Sequence, residues 1–152
     1  MPRVQRQATA SWTGNVARGE GSIAPASGTF EPVPYTLASR IGKPDGKTSP
    51  EELLASAHAG CYAMSLAGEL AGAGTPAELV AVTATVMLDE VEGGSHRIVS
   101  SDLRARARVQ GIDEEALARA ADAADEGCPF SALIKASGTV TVNAELEGSD
   151  GD

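Results

Sequence analysis

"SPEELLASAHAGCYAMSLAGELAGAG", residues 49–74, carries a helix start at one end and a helix stop at the other. Ser49 can cap the first turn, and Pro50 suits the first helical position because its φ is preset and its missing N–H is not needed there. Glu52 completes a Ser-x-x-Glu capping box. Glycines and then Pro76 end the run, so the spacing predicts a helix from Pro50 to about Ala71, about 33 Å long. Leu53, Leu54, Ala57, Cys61, Met64 and Leu70 recur at helical spacing, while Ala55, Ser56, Ala59, Gly60, Ala63 and Ala67 fill much of the remainder. A helix that is apolar or small nearly all round belongs inside something.

Around this helix the pattern is mostly strand. Residues 4–12 alternate imperfectly and end at the turn signal "TGN", residues 13–15, with further short strands expected near 19–24 and 34–38. Together these predict a small antiparallel sheet before the helix. After it, 79–90 alternates with Val80, Val82, Ala84, Val86 and Leu88 on one face, and 96–109 with Leu103, Ala105, Ala107 and Val109 on one face. "EGGS", residues 92–95, reads as the hairpin loop between them. A second amphipathic helix is expected from Asp113 to Gly127, with Leu117 and Ala120 or Ala121 inward and Pro129 just beyond its end. A last strand, 138–146, alternates Val140, Val142, Ala144 and Leu146. Strands, helix, two strands, helix, strand is an α+β order. The 152-residue length fits a single domain over 1–146, followed by a disordered acidic tail over 147–152.

The charge balance, 21 acidic against 12 basic side chains for a net −9, repels phosphate backbones and anionic membrane surfaces. Nucleic acid and membrane are therefore not expected partners. No run of apolar residues is long enough to span a bilayer, and the expectation is a cytoplasmic protein. In that reducing setting Cys61 and Cys128, the only two cysteines, are more plausibly free thiols, metal ligands or a transient redox pair than a permanent staple.

Three roles stand open for those cysteines. Either can be an inert core thiol, cysteine being among the most buried residue types. His58, Cys61, His96 and Cys128 comprise every His and Cys in the chain and could close a tetrahedral zinc site, with His58 and Cys61 sharing a helix face. In the redox role Cys61 attacks an electrophile as thiolate and Cys128 resolves the product. That role requires a lowered pKa. Cys61 lies too deep in its helix for the terminal dipole to help, so a cation must do it, and arginine suits because it stays charged when desolvated.

Two cysteine segments in one order, "TSPEELLASAHAGCYAMSL" and "EGCPFSALIKASGTVTV", resemble those of the OsmC branch of the OsmC/Ohr family of peroxide reductases. "GEGSI", "YTLASR" and the acidic hairpin "MLDEVEGG" fall in matching order, so the resemblance covers nearly the whole chain. It implies a cytoplasmic thiol peroxidase that reduces organic hydroperoxides, and hydrogen peroxide more slowly, built as an intertwined homodimer with composite active sites at the subunit interface. By motif position Cys61 looks like the peroxidatic cysteine and Cys128 like the resolving one. Glu51 and Arg40 look like the pair that tunes Cys61, with Arg18 of "ARGEG" the rival arginine. The resemblance implies no metal and no organic cofactor, only an external dithiol reductant.

Glu51 and Cys61 are ten positions apart on one helix, a separation of about 15 Å along its axis. They can serve one site if two copies of the helix pack antiparallel about a two-fold near Ser56, where Ala55, Ser56, Ala59 and Gly60 permit close approach. The plainer role for Glu51 is to complement the helix N-terminus. Tyr62, Met64 and Phe130 could line an apolar cleft beside the cysteines, with core packing as their plainer role. In a different class, the same scaffold could serve a non-catalytic protein that holds zinc or binds a small ligand.

Overall fold

The computed structural model describes residues 3–148. In chain order the elements are β1 (Ala8–Thr13), β2 (Glu20–Pro25), β3 (Val33–Tyr35), α1 (Leu37–Ile41), α2 (Pro50–Gly72), β4 (Leu79–Glu90), β5 (His96–Arg108), α3 (Glu114–Gly127), α4 (Pro129–Lys135) and β6 (Thr139–Leu146). The chain divides into two compact units, Met1–Leu53 and Leu54–Asp152, where the sequence suggested one domain over 1–146. The boundary falls inside α2.

In the first unit β1, β2 and β3 form an antiparallel sheet in that order, as the alternation suggested. Trp12 pairs with Gly21, and Gly21 with Tyr35, across the three strands. Because Gly21 has no side chain, the two rings meet over it with centroids 5.3 Å apart and planes tilted by 55°. A Cβ at Gly21 would lie 2.5 Å from Tyr35 Cε1, closer than any packed pair of carbons can sit.

The third strand stops at Tyr35 rather than continuing to residue 38. Thr36 and Ser39 form a reciprocal capping box: Thr36 Oγ1 accepts from the Ser39 N–H and Ser39 Oγ accepts from the Thr36 N–H, both at 3.0 Å. That local exchange turns the chain into α1, which the strand expectation over 34–38 did not contain. Among the described residues of this unit only Ser39 is buried, so the sheet has no apolar core of its own.

In the second unit β4, β5 and β6 form a sheet in that order, β4 antiparallel and β6 parallel to β5. The parallel pair requires a crossover, which α3 and α4 provide. The inward faces are those the alternation indicated: Leu103, Ala105 and Ala107 are buried, and Val80, Val82, Ala84, Val140, Val142, Ala144 and Leu146 pack against the same core. Asp113 Oδ1 accepts from the Ala116 N–H at 2.8 Å to cap α3, which buries Leu117, Ala121 and Ala124. Pro129 ends the α3 run and also occupies the first turn of α4, an element absent from the sequence expectation.

The helix α2 starts at Pro50 with the Glu52 N–H donating to Ser49 Oγ at 3.1 Å, and it runs one residue past the expected end. Its buried positions are His58, Tyr62, Leu66 and Leu70, a strict four-residue stripe. Met64, expected inward, is 78% exposed because it lies on the opposite side from that stripe. Leu66 is fully enclosed, so Leu66→Ala is expected to lower stability by about 2–5 kcal/mol through lost transfer energy and an unfilled cavity. A urea titration checks this as a lower midpoint at unchanged slope.

Glu147, the first residue of the expected tail, donates its N–H to Ala107 O at 2.8 Å and pairs its side chain with Arg108 at 3.0 Å. Residues 149–152 of that stretch lie outside the described residues. Among the described residues no helix is long and apolar enough to cross a membrane.

Candidate active site

Cys61 and Cys128 are brought together within the second unit. Cys61 sits half-buried on α2, one position before Tyr62, and Cys128 is fully buried at the junction where α3 ends and α4 begins. The Cys61 side chain is hydrogen-bonded to the Cys128 side chain, and both thiols are free. Burial pushes the Cys61 pKa above its ordinary 9.0, and the hydrogen bond and charge of Cys128 push the same way. The Phe130 N–H and the Ser65 hydroxyl pull it down, but less strongly. All of these influences come from its own unit. These influences favour the neutral thiol, and a nucleophilic role for Cys61 would call for a cation beside it.

The first unit holds an arginine fixed by a carboxylate. Arg40, near the end of α1, donates from Nε to Glu51 Oε1 and Oε2 at 3.0 and 3.1 Å and from one terminal nitrogen to Oε1 at 2.5 Å. Glu51 stands in the first turn of α2, so the two capped helix starts, at Thr36 and Ser49, set the pair's geometry. Burial raises the Glu51 pKa, but the Arg40 hydrogen bond and charge, its own N–H and Ser49 outweigh that and leave it below the ordinary 4.5. Arg40 is raised in turn, chiefly by its hydrogen bond to Glu51. With side chains 38% and 14% exposed, the pair contributes at most about 1 kcal/mol to stability. Its consequence is orientation. Arg18 lies exposed in the turn between β1 and β2, its N–H donating to Asn15 Oδ1 at 2.9 Å, so of the two candidate arginines Arg40 is the one joined to Glu51.

Beside Arg40 lies a cleft of about 190 Å³ lined by Trp12, Val16, Tyr35, Thr36 and Leu37, apolar over most of its wall with the guanidinium at one side. Trp12, Val16 and Leu37 were not candidates from the sequence. The register that sets Trp12 and Tyr35 on either side of Gly21 is the signal that could have found the aromatic pair. The walls suggested earlier differ: Tyr62 is core, with its hydroxyl donating to Ala121 O at 2.9 Å, and Phe130 packs against the same core.

His58 is enclosed, with Nδ1 2.7 Å from Ser101 Oγ and Nε2 2.8 Å from Ser131 Oγ. Desolvation lowers its pKa, Asp125 and Lys135 opposing each other at longer range. Both ring nitrogens are thereby committed, and His58 could bind zinc only by giving up a serine. His96 is exposed at the start of β5. Among the described residues no group of three or more His, Cys, Asp or Glu side chains is placed to hold a metal. Ser101 was legible in principle, since it falls in phase with Leu103, Ala105 and Ala107 on the inward face of β5.

A thiol pair with one member accessible and one enclosed, and an arginine fixed by a first-turn glutamate, can now be set beside known proteins. The family pattern described as OsmC-like protein matches residues 42–143, which include Glu51 and both cysteines. Peroxiredoxin OsmC of Escherichia coli (strain K12) is 34% identical over 144 residues, covering 95% of this chain and 98% of that protein. The chain belongs to the OsmC-like family. Peroxiredoxin OsmC of Shigella flexneri matches to the same extent. The fold of this OsmC-like chain is also that of an organic hydroperoxide resistance protein from Elizabethkingia anophelis, with a TM-score of 0.75 at 22% identity over 97% of this chain and 100% of that one. The organic hydroperoxide resistance protein OhrB of Bacillus subtilis gives 0.72 at 21% identity over 91% and 98%. Arg40 lies two residues ahead of the family match, and the Escherichia coli relative, aligned over 95% of the chain, extends the likeness beyond it.

Proposed function

We propose that this OsmC-like chain is a cysteine-based peroxidase that reduces organic hydroperoxides, and hydrogen peroxide more slowly. The observation that carries this is the meeting of a half-buried Cys61 thiol with a fully buried Cys128 thiol, neither of them tied into a disulfide. The peroxiredoxin name of the Escherichia coli relative supports it.

The Cys61 thiolate attacks the distal oxygen of the hydroperoxide. The O–O bond breaks, the alkoxide takes a proton and leaves as alcohol, and Cys61 becomes a sulfenic acid. Cys128 then attacks the Cys61 sulfur, the S–O bond breaks, and water leaves with the Cys128 proton. An external dithiol reduces the disulfide by two successive exchanges. Arg40, held by Glu51, stabilises both the thiolate and the charge developing on the leaving oxygen. The Trp12–Tyr35 cleft accepts the alkyl or aryl part of an organic hydroperoxide, which hydrogen peroxide lacks. No prosthetic group enters any step.

In this reading the working molecule is a homodimer, with Arg40 and Glu51 of one subunit serving Cys61 of the other. The ten-residue separation of Glu51 and Cys61 along α2 supports it, since about 15 Å of helix keeps them from sharing a site on one straight helix. Among the described residues the first unit buries no apolar side chain, and Met64 is 78% exposed, which supports it as surfaces awaiting cover. The cytoplasm supplies the dithiol.

Titrating the reduced protein with stoichiometric cumene hydroperoxide tests the activity. Both thiols are expected to disappear together, at one equivalent of peroxide per subunit. Full retention of both thiols under peroxide would exclude the peroxidase and favour a binding protein on the same scaffold.

A further inference from the structure

Two buried hydrogen bonds leave α2 on the side that carries Cys61 and grip the segment that carries Cys128. Tyr62, the next residue after Cys61, donates to Ala121 O on α3 at 2.9 Å. His58, one turn before Cys61, meets Ser131 of α4 at 2.8 Å, while its other nitrogen meets Ser101 of β5 at 2.7 Å. Ala121 precedes Cys128 by two turns and Ser131 follows it by one, so the break between α3 and α4 is held on both sides from the same face of α2. His58, Tyr62, Ser101 and Ser131 are each fully enclosed.

The two grips hold unequal partners. The 14-residue α3 also buries Leu117, Ala121 and Ala124. The seven-residue α4 buries only Ser131 and Ile134, and its N-cap, Cys128, makes no side-chain capping bond. A helix this short is not stable on its own and takes its position from what it is attached to. Lys135 Nζ donates to Asp125 Oδ2 of α3 at 2.5 Å and Phe130 packs on the core, while the His58–Ser131 bond joins α4 directly to the helix that carries Cys61.

We propose that His58 is a positioning residue for disulfide formation. Through Ser131 it holds α4 so that the Cys128 thiol stays in line with the sulfur of Cys61. The inference rests on the peroxidase reading above and concerns only its second chemical step. A disulfide demands a narrow geometry, with Cβ atoms about 3.5–4.5 Å apart, whereas the first step needs only Cys61 and a small mobile substrate. Loss of the grip slows condensation of the Cys61 sulfenic acid with Cys128 and leaves the attack on peroxide largely alone. The sulfenic acid then survives long enough to meet a second peroxide, whose distal oxygen converts it to sulfinic acid with release of a second alcohol.

The full-length protein is treated with graded cumene hydroperoxide, quenched with an alkylating reagent and analysed by mass spectrometry for disulfide and sulfinic acid. In Ser131→Ala the ratio of sulfinic acid to disulfide is expected to rise on the order of tenfold over wild type at equal peroxide, with consumption of the first equivalent changed less than about twofold. Ser131→Thr, which keeps the hydroxyl, is expected to restore the wild-type ratio. Ser101→Ala removes one hydrogen bond from the same imidazole without releasing α4, and its ratio is expected to rise less than about threefold. A purely structural role would move both alanine variants alike. Should Ser131→Ala not fold, His58→Leu carries the same expectation, since leucine fills similar space and has no polar atom to hold Ser131.

Equal ratios in Ser131→Ala and Ser101→Ala, or an unchanged ratio in Ser131→Ala, overturn the proposal while leaving the peroxidase intact. Wild-type thiols that survive the peroxide overturn the peroxidase reading itself, and the positioning role falls with it.

Discussion

Hydroperoxide turnover with a dithiol reductant is expected to fall by about a thousandfold or more in Cys61→Ser. Serine nearly matches cysteine in size, so the half-buried site keeps its packing, but a hydroxyl does not ionise near neutral pH and cannot take an oxygen from a peroxide. Cys128→Ser has a different expected outcome. Its Cys61 still consumes one equivalent of peroxide and then stalls, because the enclosed position at the α3–α4 junction no longer holds a thiol to condense with it. The stalled species is sulfenic acid, passing to sulfinic acid under excess peroxide. Steady-state turnover and intact mass, read on the same samples, separate the two variants. Substantial turnover by Cys61→Ser would remove the mechanism, and equal, complete inertness of both variants toward the first equivalent would remove the division of labour.

Much of this was open to reading because it is written locally. The start of α2 at Ser49, Pro50 and Glu52 is a capping signal contained in four residues, and the expected end missed the observed Gly72 by one. The alternation of β4, β5 and β6 told which side chains face inward because a strand has only two faces. The shorter elements were harder. Thr36 and Ser39 turn the chain into a five-residue α1 by a capping box that lacks the usual Glu or Gln, and Pro129 was read as a terminator when it also starts α4. What the sequence could not supply was long-range pairing. The serines on His58 come from 43 and 73 residues away, and nothing near His58 in the chain announces them. That Arg40 rather than Arg18 meets Glu51 likewise depends on where α1 lays a guanidinium against the first turn of α2. Neither the meeting of the two thiols nor the two serines that occupy His58 could be read from the local sequence around Cys61.

Arg40→Ala is expected to slow reaction with hydroperoxide by about a hundredfold at pH 7. Burial and Cys128 hold the Cys61 pKa above 9.0 when no cation is near, so at pH 7 no more than about 1% would be thiolate. A guanidinium lowers that pKa, and removing it raises it again, so the variant's deficit should shrink as pH rises toward the thiol's own range. The acid side has the opposite origin. Glu51 is held below its ordinary 4.5, so its charge, and with it the aim of Arg40, is fully present above that value and lost only as pH falls through the lowered one. Whether this arginine serves its own chain or the partner is decided by mixing. Arg40→Ala and Cys61→Ser homodimers are each expected to keep no more than about 1% of wild-type activity at pH 7. When the two chains are co-expressed, random pairing makes half of the dimers mixed, and each mixed dimer rebuilds one intact site from the Cys61 of one chain and the Arg40 of the other. Activity should return to about a quarter of wild type. If both groups belonged to the same chain, every site in every dimer would still carry one of the two defects. No activity from the mixture would then exclude the composite site, and the cation for Cys61 would have to be sought within its own subunit.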